Sequence, residues 1–284
     1  MSPGRLFVVA TPLGNRGDLS PRALDTLRQV ALVACEDTRR TGPLLRASGI
    51  TTPTTSFFEH NERFKGEAIL DALRNGKDVA LVSDAGTPGI SDPGYRLVRD
   101  ARAAGLAVLP VPGPSAVVTA LSVSGLPTDR FLFVGFLPPR ARARQSAIAE
   151  LRDVRATLVL YESPVRVLAC LSDLVEGLGD REAFLCREAT KVHEEYRRGR
   201  LSELRDALAG RERVRGEIVL VIGGASPEDQ AIQGAGEPGE SLVSFVARLV
   251  AEGRTRREAA KEAARVYGLA AREVYRVTLP EKVG

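Results

Sequence analysis

Short apolar runs alternate with amphipathic stretches along most of the chain. Leu6–Ala10, Ala31–Ala34, Val79–Val82, Val108–Val111, Phe131–Val134, Thr157–Leu160, Ala183–Cys186 and Ile218–Ile222 are too short for helices and read as strands. Between them the apolar positions recur at helical spacing. Glu62–Arg74 is stopped by Gly76, Tyr95–Ala104 by Gly105, and Ser20 caps a helix whose first residue is Pro21. Strands that alternate with helices predict α/β architecture. A break at Ser124-Gly125-Leu126-Pro127 divides the pattern into two α/β halves, residues 1–123 and 124–225, with their loops facing a cleft. From Gly223 to Glu240 the chain turns to Gly, Pro, Ser, Ala and acidic residues, so 226–240 is read as a linker. Residues 241–284 then hold three short helical patterns, Ser241–Ala251, Arg256–Val266 and Ala270–Val277. Thr255 and Glu258 form a capping box, and the three resemble a helix-turn-helix unit.

Three connections are richer than a turn requires. Val82 is followed by Ser83-Asp84-Ala85-Gly86-Thr87-Pro88-Gly89-Ile90-Ser91-Asp92-Pro93-Gly94 before helical sequence resumes. Strand-to-helix connections usually need only about 2–6 residues. Glycines let the backbone come close to a bound molecule, and prolines stiffen the loop. Open α/β sheets hold ligands at the carboxyl ends of their strands, so this is read as a ligand loop rather than an ordinary turn. After Val111, Pro112-Gly113-Pro114 leads to Ser115, a fitting N-cap for the apolar helix Val117–Val123. The free N–H groups of that helix suit a carboxylate or phosphate. After Ala10, Thr11-Pro12-Leu13-Gly14-Asn15 forms a turn with neither G-x-G-x-x-G nor a P-loop.

These loops resemble the signatures of the ribosomal RNA small subunit methyltransferase I group, a branch of the tetrapyrrole methylase superfamily. The resemblance also covers Glu36-Asp37-Thr38-Arg39-Arg40-Thr41-Gly42, Phe57-Phe58-Glu59-His60-Asn61-Glu62, Leu160-Tyr161-Glu162-Ser163-Pro164 and Arg187-Glu188-Ala189-Thr190-Lys191. It implies two α/β domains with the cofactor cleft between them, plus the small C-terminal helical unit as a substrate-docking element. It implies S-adenosylmethionine as cofactor, 16S rRNA of the small ribosomal subunit as substrate, and methylation of a cytidine ribose 2′-hydroxyl in its decoding region. It also suggests a homodimer. The alternatives are a relative acting on a tetrapyrrole or protein side chain, or a non-catalytic RNA-binding protein. The first loop lacks the glycine richness of the small-molecule branches, and the cofactor loops look intact.

On that resemblance the expected cofactor contacts are Pro12, Asp84, Ala85, Gly86, Thr87, Gly89, Ile90, Ser91, Gly113, Ser115, Ala116, Tyr161 and Glu162. Asp84 and Asp92 have an electrostatic reason to face a sulfonium or a ribose, although either can cap a turn. Tyr161 either stacks on the adenine or belongs to the core. Candidates for removing the hydroxyl proton are Asp37, Glu59, His60, Glu188 and Lys191, each with a structural salt bridge or loop hydrogen bond as the alternative. Arg39, Arg40, Arg140, Arg142 and Arg144 are candidate phosphate contacts. So are Arg256, Arg257, Lys261 and Arg265 on the middle C-terminal helix, unless they form a solvated face with Glu258 and Glu262.

Composition narrows little further. With 284 residues and 44% hydrophobic content the chain can bury cores for two or three units. No apolar stretch approaches the ~20 residues of a membrane span. The chain enters its first strand without a secretory leader, and Cys35, Cys170 and Cys186 lie apart in apolar runs. Both features suit reduced thiols in a cytoplasmic protein. With only His60 and His193, no metal site is expected. The net charge of +4 permits RNA binding without requiring it.

Overall fold

The computed structural model describes residues 2–225, 241–267, 269 and 271–278; the linker expected at 226–240 and the side chain of Arg265 lie outside the described residues. Among the described residues, ten strands form two five-stranded sheets. The first contains β1 (Arg5–Val9), β2 (Leu32–Cys35), β3 (Thr54–Ser56), β4 (Val79–Val82) and β5 (Ala107–Val111), in the order β3-β2-β4-β1-β5. All its pairings are parallel, with Leu6 registered on both Val79 and Val108. The helices between these strands are α1 (Pro21–Gln29), α2 (Thr38–Ala47), α3 (Glu62–Arg74) and α4 (Tyr95–Ala103).

Side chains alternate across a strand, and β4 is apolar at every position because both its faces are covered. Val79 and Leu81 pack with Ile69, Leu73 and Leu97 of α3 and α4. Ala80 and Val82 pack with Ala23, Leu27 and Leu45 of α1 and α2. Each such leucine withdrawn from water contributes ~1.5–3 kcal/mol. The N-caps fix where the helices begin: Ser20 Oγ accepts from Ala23 N–H at 3.1 Å, and Asp37 accepts from Arg39 N–H at 2.8 Å.

The second sheet contains β6 (Phe131–Phe136), β7 (Thr157–Glu162), β8 (Glu182–Arg187), β9 (Glu195–Arg200) and β10 (Ile218–Ile222), in the order β6-β7-β10-β8-β9. Only β6 and β7 run parallel, and a register shift interrupts them between Phe133 and Gly135. One face is covered by α6 (Ala141–Glu150), α7 (Val167–Leu178) and α8 (Leu201–Ala209) through Ile148, Leu171, Leu174, Leu204 and Leu208. The other face is covered by α5 (Ala116–Ser124), whose Val117, Ala120 and Leu121 pack on Val159, Phe184 and Val219. By packing, α5 therefore goes with the second sheet. The chain changes sheets at Pro112–Ser115, ahead of the break at Ser124–Pro127 where Gly125, at φ 68°, ends the helix.

Three further helices, α9 (Leu242–Ala251), α10 (Arg256–Val266) and α11 (Ala271–Val277), share a core built on Leu242, Val246, Leu249, Ala259, Ala263 and Val274. Thr255 and Glu258 form the capping box at the start of α10. Among the described residues no helix is long and apolar enough to cross a membrane.

Candidate functional site

In the first sheet the path from β1 to β2 crosses β4, whereas the path from β4 to β5 crosses β1. The loops after β1 and β4 thus diverge from adjacent strands, which is where α/β sheets open a crevice. Thr11 N–H donates to Gly86 O at 2.9 Å and Gly86 N–H to Thr11 O at 3.0 Å, so the two loops are bridged at their base. Gly86 reaches this geometry at φ 81°, a left-handed conformation open to glycine. Thr87 Oγ1 donates to Pro114 O at 3.1 Å and ties in the loop after β5. Farther along, Gly94 N–H donates to the Glu62 carboxylate at 3.2 Å. Ser91 sits at φ 61°, and a Cβ on Gly135 of β6 would lie 3.2 Å from its Oγ. A left-handed serine costs ~1–2 kcal/mol, so its surroundings must impose it.

The second half supplies the facing wall. Tyr161, at the end of β7, meets Phe133 and Phe136 edge-on with centroids 5.0 and 5.6 Å away. Buried Glu162 accepts from Ser163 N–H at 2.7 Å and from two Arg166 nitrogens at 2.9 Å, which fixes the turn into α7. After β8, Glu188 and Thr190 adopt φ 54° and 65°. Lys191 Nζ lies 2.8 Å from Glu188 and 3.0 Å from Glu217. The two halves touch here: Asn15 N–H donates to Thr190 Oγ1 at 3.1 Å, and a Cβ on Gly14 would overlap the Lys191 side chain.

Between these walls is a cavity of about 560 Å³. Of the expected cofactor contacts, Asp84, Ala85, Gly86, Thr87, Ile90, Ser91, Ser115, Ala116, Tyr161 and Glu162 line it. Pro12, Gly89 and Gly113 are not among the lining residues; a Cβ on Gly113 would come 3.1 Å from Ala10 Cβ, so this glycine lets its loop lie on the end of β1. Ser115 holds the N-cap position of α5, but its side chain makes no capping bond. Sequence reading did not single out Leu13, Glu36, Phe136, Ser163, Pro164 or the segment Gly216–Val219 as lining. Leu13, Glu36, Ser163 and Pro164 stand within the family-like motifs, but Gly216–Val219 has no loop signature and is found only through sheet order.

The proton-transfer candidates separate. Lys191 and Glu188 line the cavity, whereas Asp37, Glu59 and His60 do not. Glu59 and His60 are exposed in the turn before α3, and Asp37 is bound to Arg39 at 2.8 Å, which holds its carboxyl down at about 2. Burial instead pushes Glu36 and Asp84 up; the charge of Asp84 adds to the rise at Glu36, whereas the Asp37 N–H and Arg40 oppose it at Asp84. Asp92 is pushed up to about 6, first by burial, then by the charge of Glu36. Burial, with Asp92 nearby, raises Tyr161 to about 12. Asp84 accepts from Asp37 N–H at 3.1 Å and lies 3.5 Å from Arg40.

Among the candidate phosphate contacts, Arg40 lines the cavity, and Arg39, Arg140 and Arg142 are exposed. Arg144 differs from expectation: it is buried, pairs with Asp173 at 2.6 Å and donates to Pro139 O at 3.2 Å, so it is closed to a phosphate. Arg256 donates to Thr278 O at 2.7 Å, and Arg257 is exposed. The three cysteines are unpaired and buried. Among the described residues no group of three or more His, Cys, Asp or Glu could hold a metal ion.

The family of tetrapyrrole (corrin/porphyrin) methylases matches residues 5–205 of the chain. The ribosomal RNA small subunit methyltransferase I of Pseudomonas aeruginosa is 50% identical over 238 residues, covering 83% of this chain and 84% of the relative. That of a Synechocystis species is 44% identical over 277 residues, covering 97% and 98%. Among solved structures, a uroporphyrin-III C-methyltransferase from Thermus thermophilus, complexed with S-adenosylhomocysteine, matches with a TM-score of 0.55. At 21% identity it covers 78% of this chain and 97% of its own, a likeness of fold.

Proposed function

The chain belongs to the tetrapyrrole methylase family, in its ribosomal RNA small subunit methyltransferase I branch, and we propose that it methylates a cytidine ribose 2′-hydroxyl in 16S rRNA with S-adenosylmethionine. The observation that carries this reading is the acid-lined cavity between the two sheets, walled by the loops after β1, β4 and β5. Its volume of about 560 Å³ suits a cofactor of that size, since such sites run ~300–1,000 Å³. Ile218, Val219 and Ala116 give an apolar surface for an adenine. The N-terminus of α5 suits an α-carboxylate. Glu36, Asp84 and Asp92 favour a cation.

When bound, the cofactor supplies an electrophilic methyl group on a sulfonium. The residues of the chain must orient the hydroxyl and take its proton. Asp84 is fixed by the Asp37 N–H and Arg40, which makes it an orienting group. Asp92 faces Ser83 and other acids rather than a cation, and burial brings it close to working pH, so it is the favoured proton acceptor. Lys191 is held charged between Glu188 and Glu217, which suits a phosphate contact better than a base. Arg39, Arg140 and Arg142 are the proposed outer phosphate contacts. The C-terminal helices are the proposed docking unit for substrate, which implies a cytoplasmic protein working on the small subunit.

A homodimer is supported by exposed apolar residues on α5 and on the two edge strands it connects: Leu109, Val118, Val123, Phe131 and Leu132. The deciding experiment maps 2′-O-methylation on small-subunit rRNA from cells with and without the gene. A cytidine mark that vanishes without the gene and returns with purified protein is the expected result. An unchanged methylation map would overturn the reading.

A further inference from the structure

The C-terminal unit carries a second cavity, of about 470 Å³, lined by Arg257, Ala260, Lys261, Arg272 and Tyr275. Arg257 and Lys261 are four residues apart on α10, and Arg272 and Tyr275 three apart on α11, so each pair shares a helix face. The two faces converge on one groove, and small Ala260 leaves its floor open. Among the described residues, no carboxylate lines it. Glu258 on α10 feels the charge of Lys261 but is committed to the capping box, accepting from Thr255 N–H at 3.0 Å and from Thr255 Oγ1 at 2.6 Å. Among the described residues, none of the three cations lies within ion-pair distance of an acid. By contrast, Arg256 on the same helix is directed to Thr278 O. Tyr275 remains 41% exposed at the groove.

Three cations outside ion-pair contact, around a solvent-facing aromatic ring, match the chemistry of a nucleic-acid strand. The cations meet successive phosphates, and the ring stacks on a base without regard to its identity. From this geometry we infer that the groove between α10 and α11 is a binding site for a single-stranded stretch of the RNA substrate, separate from the methyl-transfer cavity. The inference rests on the rRNA methyltransferase reading for its choice of RNA. A base stacked on Tyr275 and phosphates on Arg257, Lys261 and Arg272 would anchor the substrate without demanding a sequence, leaving the choice of nucleotide to the cleft.

The test compares the full-length wild type with the triple variant Arg257→Ala/Lys261→Ala/Arg272→Ala, and with Tyr275→Ala and Tyr275→Phe. All four positions lie on the surface or at the groove, and cofactor affinity by calorimetry verifies that the fold is intact. The probe is a single-stranded rRNA fragment titrated at several salt concentrations. The triple variant should bind it at least tenfold more weakly. Its slope of log affinity against log salt should be shallower by about 2, roughly 0.7 for each single-strand phosphate no longer met. Tyr275→Ala should weaken binding at unchanged salt slope, and Tyr275→Phe should restore it, because stacking needs only the ring. Equal affinity and slope in wild type and triple variant would overturn the groove assignment. So would a defect confined to assembled small subunits with naked RNA bound normally, since the occupant would then be a ribosomal protein. Absence of methyl transfer by the wild type would count against the proposed activity alone, because the binding comparison stands without it.

Discussion

Thr11 and Gly86 exchange two backbone hydrogen bonds, at 2.9 and 3.0 Å, forming an antiparallel bridge across the ends of two parallel strands. The bridge works only because Gly86 holds φ at 81°. Its carbonyl also accepts from Ser83 Oγ at 3.3 Å, so one residue ties together two of the three loops that wall the cavity.

Gly86→Val should therefore damage the site more than the fold. There is room for the side chain, since a Cβ would lie 3.5 Å from Leu13 Cδ2. The conformation is the obstacle, because a left-handed L-residue costs ~1–2 kcal/mol and a β-branched one more. Calorimetry should show cofactor affinity reduced by tenfold or more with near-normal circular dichroism. Unaltered affinity would mean that the loop does not hold the cofactor.

How much of this was legible in the sequence depends on burial. All eight apolar runs became strands, most of them buried in the sheets, with Leu109, Phe131 and Leu132 exposed on the edge strands β5 and β6. The strands that pattern reading passed over are β3, Thr-Thr-Ser at an edge of the first sheet, and β9, Glu-Tyr-Arg-Arg-Gly-Arg at an edge of the second. The charge on β9 discourages pairing with other chains, and the three polar residues of β3 are too few to show a period, so neither has the apolar signature that β5 and β6 keep at the opposite edges. The glycine-rich loops announced the first wall of the cavity. The second wall is legible only in part: the family resemblance points to Tyr161, Glu162, Glu188 and Lys191, but Ile218 and Val219 read simply as strand. That they reach the cavity follows from β10 lying beside β7.

Asp92 should make cofactor binding depend on pH. Its carboxyl is raised from 3.8 to about 6, so below that value it is neutral. A sulfonium favours the ionised form, and its affinity should therefore fall as pH drops through about 6 and level off above it. Asp92→Asn should remove most of this dependence and weaken binding at pH 7.5. The uncharged product analogue S-adenosylhomocysteine should depend less on pH in the wild type. For the cofactor-free protein the sign is opposite. Because the folded pKa is raised, stability declines as pH rises from about 4 to about 6, and Asp92→Asn should be at least as stable above that window. An equally steep pH dependence of cofactor affinity in Asp92→Asn would assign it to another group.

Glu62 is a buried carboxylate aimed at the far end of the ligand loop, where it accepts from Gly94 N–H at 3.2 Å. Gly94 itself has no room for a side chain, since a Cβ would lie 2.7 Å from Leu81 Cδ2. Glu62→Ala leaves that N–H unpartnered, a loss of ~1–3 kcal/mol. The thermal midpoint should fall and the KM for cofactor should rise, whereas Glu62→Gln, which keeps an acceptor, should recover both. A Gln variant as impaired as Ala would point to the charge, and hence to Arg96 at 4.0 Å, instead of the loop anchor.

The proposed dimer makes a mass prediction. Light scattering should give twice the 30.5 kDa of one chain. Val123 and Phe131 are 56% and 47% exposed, on α5 and the edge strand β6. The double change Val123→Asp/Phe131→Asp should yield a folded monomer, because burying two unpaired charges at an interface is strongly unfavourable. A wild type that runs as a single chain would refute the dimer.

Gly14 and Lys191 close the cleft from opposite halves, and their coupling can be measured. Asn15 N–H donates to Thr190 Oγ1 directly beside the contact, and Lys191 is held in place by Glu188 and Glu217. A methyl group on Gly14 overlaps the Lys191 stem, so Gly14→Ala must either displace the lysine from its two carboxylates or push the first loop outward. Either movement should widen the cleft and lower cofactor affinity several-fold. Lys191→Ala removes the obstruction but leaves Glu188 and Glu217 without their shared cation, so it should also be impaired. In the double variant the overlap is gone, and its loss of affinity should be smaller than the sum of the single losses. An interaction of ~0.5–3 kcal/mol is the usual range for residues in contact. Strict additivity would show that the two side chains do not meet in solution and that the halves stand farther apart there.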